Sequence, residues 1–151
     1  MKTYVMRLVR LPQFLLLATE ALVELTLISV RIGRTSETRL VALLGEPVSA
    51  RAERVEVDHL SAEQRIEIQR SRRIGRAVSR VARLLPWRPT CLRQSVATQR
   101  MLARRHTAGM MHLGVADVST MDAHAWVTVH GWVVVGRQAR RFSPVASFPP
   151  R

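Results

Sequence analysis

The pattern of apolar and polar positions divides the chain into a helical first part and a β-rich last part. From Tyr4 to Leu44 the apolar positions are dense, and the run Phe14-Leu15-Leu16-Leu17-Ala18 is the densest. Gln13, Glu20, Glu24 and Arg31 recur at intervals of 7, 4 and 7, which places them on one stripe of a helix. The remaining faces are apolar, so this helix must pack against the domain, a partner or a membrane surface. Gly33-Arg34-Thr35-Ser36 breaks it. A shorter helical stretch, Glu37 to Leu44, stops at Gly45-Glu46-Pro47. Val48 to Leu60 lacks periodicity and reads as a linker.

Ser61 opens the next helix, with Gln64 three positions on completing a capping box. Ile66, Ile74, Val78, Val81, Leu84 and Leu85 mark its apolar face, and Pro86 and Pro89 end it. Thr90 is a good N-cap, so Cys91 falls in the first turn of a helix running to about Arg105. After Gly109 the period changes. Met111–Val115, Ala123–Val129 and Trp132–Val135 read as strands, and His130-Gly131 is a tight hairpin signal. Helices first and an antiparallel meander afterwards is the α+β class. The division is an N-terminal helical region 1–47, a linker 48–60 and a core domain 61–151.

Charge changes the choice of partners more than the choice of fold. The 151 residues carry a net charge of +13 and are 47% hydrophobic, enough for a buried core. Nucleic acid, an anionic membrane and an acidic peptide are all electrostatically suitable. The arginines spread over helical faces without interleaved aromatics and without a groove-reading motif, so nucleic acid ranks last. Lys2, Arg7 and Arg10 ahead of an apolar run imitate a signal peptide, but Glu20 and Glu24 interrupt the run. Each central carboxylate in a spanning helix costs roughly 2.5–3.5 kcal/mol. Because the polar stripe is acidic rather than basic, packing within protein is favoured over membrane contact for the first helix, and the expected location is cytoplasmic. The four other histidines, His59, His106, His112 and His130, lack metal-ligand spacing, and no cofactor motif appears.

The single cysteine, Cys91, cannot form an internal disulfide. The first turn of a helix presents unpaired N–H groups and a partial positive charge, both of which favour a thiolate. Arg88 and Arg93 stand close in sequence. His124, in Ala123-His124-Ala125-Trp126-Val127, has a small residue on each side that leaves its ring accessible. A helix-start cysteine with a histidine on a later strand suits nucleophilic catalysis, in which imidazole takes the thiol proton. The same residues also fit a buried thiol and a packed imidazole. Trp87, Trp126 and Trp132 read as core or cleft wall, with Trp87 and Trp126 the candidates for touching substrate.

The blocks Leu85-Pro86-Trp87-Arg88-Pro89-Thr90-Cys91-Leu92, Leu113-Gly114-Val115 and Ala123-His124-Ala125-Trp126-Val127 resemble the transglutaminase-like leader peptidases of lasso-peptide biosynthesis. They are most similar to the split form, in which the peptidase is separate from the leader-binding module. The resemblance covers about Arg72 to Pro144 and includes Phe142-Ser143-Pro144. It implies a papain-like core, with Cys91 attacking the amide at the leader–core junction and His124 as base. It also implies three partners: the precursor's leader, a RiPP recognition element, and an asparagine-synthetase-like cyclase that closes the macrolactam. The family places an acid about twelve residues after the histidine, and here Gly136 stands at that position. Gln138 is one replacement, as an amide acceptor. Asp122, two residues before His124 on the same strand face, is the other, and its competing role is to cap the Ser119-Thr120 bend. The missing acid also fits a catalytically impaired homologue serving as scaffold in a maturation complex.

Overall fold

Helix α1 spans Lys2–Gly33, with Pro12 inside it. It is one of three helices in the computed structural model, which describes residues 2–33, 41, 44, 46–49, 60–116, 122–137 and 139–150. The expected second helical stretch, Glu37 to Leu44, lies outside the described residues except for Val41 and Leu44, joined by a backbone hydrogen bond of 3.1 Å. Ala21, Leu25 and Ile28 of α1 are buried in the core. Their spacing of 4 and 3 makes one inward row.

Helix α2 spans Ala62–Leu84 and starts at the capping box: Gln64 N–H donates to Ser61 Oγ, and Ser61 N–H donates to Gln64 Oε1 at 2.9 Å. Its buried face differs from the expected one. Ile74 and Val78 are buried, but Ile66 and Leu84 are exposed, and Ile68, Ser71, Gly75 and Ala82 form the seam instead. Gly75 decides this. A Cβ there would stand 2.0 Å from the Val134 carbonyl oxygen, so only glycine lets the helix settle onto the sheet. Helix α3 spans Cys91–Ala103 and buries Leu92, Val96, Met101 and Leu102.

The strands are β1 (Val48–Ser49), β2 (Met110–Val115), β3 (Ala123–Val129), β4 (Trp132–Val135) and β5 (Ser143–Phe148). They form one antiparallel sheet in the order β1-β5-β2-β3-β4. The expected meander is present as β2–β3–β4. Its β3–β4 turn places His130 at φ 48 and Gly131 at φ 71, the double positive φ of a two-residue hairpin. His130 Nε2 lies 2.7 Å from Glu67 Oε2, which ties that hairpin to α2. Strand β5 was not foreseen. It returns past a 3-10 turn, Ala139–Arg141, to pair with the free edge of β2. The segment read as a linker begins with β1, which pairs Val48 with Ser147; residues 50–59 lie outside the described residues.

Alternation along β3 separates two environments. Ala125, Val127 and Val129 face the helices and join the main core with Ile74, Val78, Leu92, Val96 and Phe148. His124, Trp126 and Thr128 point to the other face, where Trp126 packs with Val133, Ala139 and Phe142. The architecture is an α+β layer pair, with the cysteine-bearing helix preceding the sheet.

Candidate active site

Cys91 owes its position to the turn before it. Arg88 adopts φ 36, and its N–H donates to the Leu85 carbonyl at 3.1 Å. The Pro89 carbonyl accepts from Gln94 Nε2 at 2.9 Å. Thr90, extended at φ −60 and ψ 165 in the manner of an N-cap, accepts from the Arg93 N–H at 3.5 Å. Cys91 is thus the first residue inside α3, as expected. Its thiol is free and half-buried against the core. Thr90 satisfies the Arg93 N–H, while the N–H groups of Cys91 and Leu92 have no acceptor within the helix.

His124 lies on β3 opposite Gly114. Its ring stacks on Phe142, with centroids 4.9 Å apart, and on Trp126 at 6.3 Å. Gly114 makes room for this row, because a Cβ there would meet the Trp126 ring at 2.7 Å. The ring donates to the backbone carbonyl of Gly136. Among the described residues Nε2 is buried without a hydrogen-bond partner. Burial pulls the imidazole below its ordinary range, partly offset by the charge of Asp122 and by the Gly136 carbonyl. The neutral ring is therefore favoured.

The thiol–imidazole hydrogen bond is not made in this structure, since Nε2 has no partner. Cys91 packs with the helix-side core, whereas the His124 ring belongs to the face that carries Trp126 and Phe142. Asp122 is exposed and acts on His124 through its charge alone. Its backbone carbonyl accepts from Ala116 N–H at 3.0 Å and closes the β2–β3 connection. Ser119 and Thr120 lie outside the described residues, as does Gln138. Trp87 is exposed in the turn before Cys91, while Trp126 is 6% exposed and forms a packed wall rather than an open surface.

Two contributors went unseen in the sequence. One is the Gly136 carbonyl. The glycine after Val133-Val134-Val135 was its signal: with φ +87, and a Cβ that would fall 2.5 Å from Trp126 Cβ, no other residue fits. The other is His112, which stacks on Trp126 at 5.4 Å and bonds Ser147 Oγ at 2.8 Å and Thr128 Oγ1 at 2.9 Å. Its alternation with His124 across the β2–β3 pair was the available clue. Among the described residues, no three His, Cys, Asp or Glu side chains converge as a metal site. A depression of about 490 Å³ lined by Glu63, Glu67, Arg70, Arg105 and Thr107 lies toward the far end of α3 from Cys91.

A cysteine at a capped helix start, followed by a sheet with an oriented histidine, is one sequential arrangement, and a family model tests it over the whole domain. The model of the transglutaminase-like superfamily matches residues 26–147, from the last quarter of α1 into β5. The chain belongs to the transglutaminase-like superfamily. No curated protein and no solved structure matches it. The superfamily includes cysteine peptidases and transglutaminases, and the match contains both Cys91 and His124. Within this transglutaminase-like domain, the backbone carbonyl of Gly136 holds the imidazole.

Proposed function

We propose that this transglutaminase-like protein is a cysteine peptidase that cleaves the leader from a lasso-peptide precursor, acting with a separate leader-binding protein. The observations that carry the reading are a thiol at a capped helix start and, on the following sheet, an imidazole held toward its neutral form with an unpartnered Nε2. The Leu85–Leu92 and Ala123–Val127 blocks narrow it from the superfamily to leader cleavage.

In this reading His124 Nε2 takes the Cys91 proton as sulfur attacks the carbonyl carbon at the leader–core junction. The backbone N–H of Cys91 faces the resulting oxyanion. The carbon–nitrogen bond breaks, the imidazolium returns the proton to the leaving amine of the core, and the leader remains as a thioester on Cys91. Water, deprotonated by His124, hydrolyses the thioester and restores the thiol. The Gly136 carbonyl stabilises the imidazolium as a dipole. That is weaker than a carboxylate, and a lower turnover follows.

The test is mass spectrometry of a precursor incubated with the protein and its leader-binding partner. Wild type yields leader and core, and Cys91→Ala, folded by circular dichroism, yields neither. Cleavage retained in Cys91→Ala would exclude the nucleophile. The unmade thiol–imidazole hydrogen bond favours a second reading, a scaffold that shapes the maturation complex without cleaving. In that case Cys91→Ala leaves maturation in cells unchanged.

A further inference from the structure

Helix α1 is turned with Glu20 and Glu24 inward and an aliphatic face outward. Glu24 is 4% exposed; its Oε1 lies 2.7 Å from Arg104 Nη1, and its Oε2 lies 3.1 Å from Arg100 Nε. Glu20 meets Arg104 at 2.7 Å and Arg105. These arginines hold the Glu20 carboxyl below its usual range, that of Arg105 first. Both carboxylates of the stripe are consumed by α3 and the residues just after it. The opposite side presents Leu15, Leu16, Leu22, Val23, Leu27 and Val30 to solvent, with Leu16 72% exposed. Only threonines interrupt this ridge, and the Thr19 hydroxyl donates to the Leu15 carbonyl at 3.0 Å, so it needs no water. From Leu15 to Val30 the ridge runs about 24 Å at 1.5 Å per residue.

We propose that this face of α1 docks on an anionic phospholipid surface, with the helix lying in the interfacial plane. The acidic stripe was the ground for disfavouring lipid, and the structure removes that ground by burying it against arginines. Length and composition of Pro12–Arg31 would suit a span, but α1 is packed along its inner side on α2 and α3, so only its outer side is available to acyl chains. Charge selects anionic lipid. The Arg80 guanidinium sits 5.2 Å from the Phe14 ring, beside the ridge, and Arg73, Arg76 and Arg83 share its exposed face of α2 by their 3–4 spacing. Basic groups flanking an aliphatic ridge match headgroup phosphates above acyl chains. A second copy on the same face would instead bring two arginine-rich α2 helices together.

Flotation of the full chain with vesicles tests this independently of any cleavage. Vesicles of equal parts phosphatidylcholine and phosphatidylglycerol should carry the protein at least about ten-fold more strongly than phosphatidylcholine alone, and less so as salt rises. The double variant Leu16→Asp, Val23→Asp should lose at least about ten-fold in binding, since both sites are exposed and its fold is retained. Circular dichroism and the thermal midpoint check that fold. No flotation, equal flotation on neutral vesicles, or a folded double variant that floats like wild type would overturn the proposal. So would a lipid-free wild-type dimer that the double variant renders monomeric.

Discussion

Gly136 occupies the place at which the resembling peptidases carry an acid, and its surroundings admit no side chain. Substitution by alanine strains a positive φ and drives a Cβ into Trp126. Gly136→Ala should cost about 1–3 kcal/mol in chemical denaturation, and the proposed cleavage should fall further as the strained backbone shifts the carbonyl beside the imidazole. His124 yields a prediction of definite sign. Its folded-state affinity for protons lies below the ordinary value of 6.5 because it is buried. The unfolded chain therefore binds more protons at this site as pH drops through that value. The stability contributed by neutral His124 is complete above pH 6.5 and declines as pH falls toward the folded-state value. Denaturation midpoints across that window should fall more steeply for wild type than for His124→Gln. Cys91 and His124 were legible because their blocks are chemical words. The Gly136 carbonyl was not, because a backbone acceptor belongs to no residue type and acts only where the chain brings it.

At the scale of elements, caps and turns were readable and faces were less so. Ser61-x-x-Gln64, Thr90 and His130-Gly131 act within four residues, and each appears where local chemistry puts it. Thr90→Ala should destabilise by about 1 kcal/mol and loosen the first turn of α3. Its checks are the thermal midpoint and kcat, which should fall more than KM rises. The face of α2 was misassigned at Ile66 and Leu84, since periodicity cannot say that a glycine marks the contact. Of the stripe on α1, Glu20 and Glu24 turn inward while Gln13 and Arg31 are exposed, and that direction depended on three arginines more than seventy residues away. Glu24→Gln leaves Arg100 and Arg104 beside a neutral amide. Both arginines are partly solvated, so the loss should be about 1–2 kcal/mol, read by urea denaturation and smaller at high salt.

Over the whole molecule, β5 holds the design together. It lies between β1 and β2, and Phe148 is 2% exposed in the core. Gln99 of α3 is buried and donates through Nε2 to the carbonyls of Gly109 at 2.9 Å and Phe148 at 3.0 Å, binding the cysteine helix to two strands. Phe148→Ala should cost about 3–5 kcal/mol and lower the denaturation midpoint accordingly. Leader cleavage and membrane docking belong to this scale as well. The first would require the helix and the sheet to bring Cys91 and His124 together on substrate, and the second requires α1 to be held with its ridge outward.

Local chemistry in the sequence determined the helix starts, three of the strands, the tight hairpin, and the two residues on which any thiol chemistry would depend. Each of these rests on interactions between near neighbours, so its signal survives in a one-dimensional reading. The fold alone decided the return of β5 beside β2, the backbone acceptor for His124, and the outward turn of an apolar helix face. Those depend on which distant atoms meet, and the energies that choose among such meetings come from burial and pairing across the assembled layers.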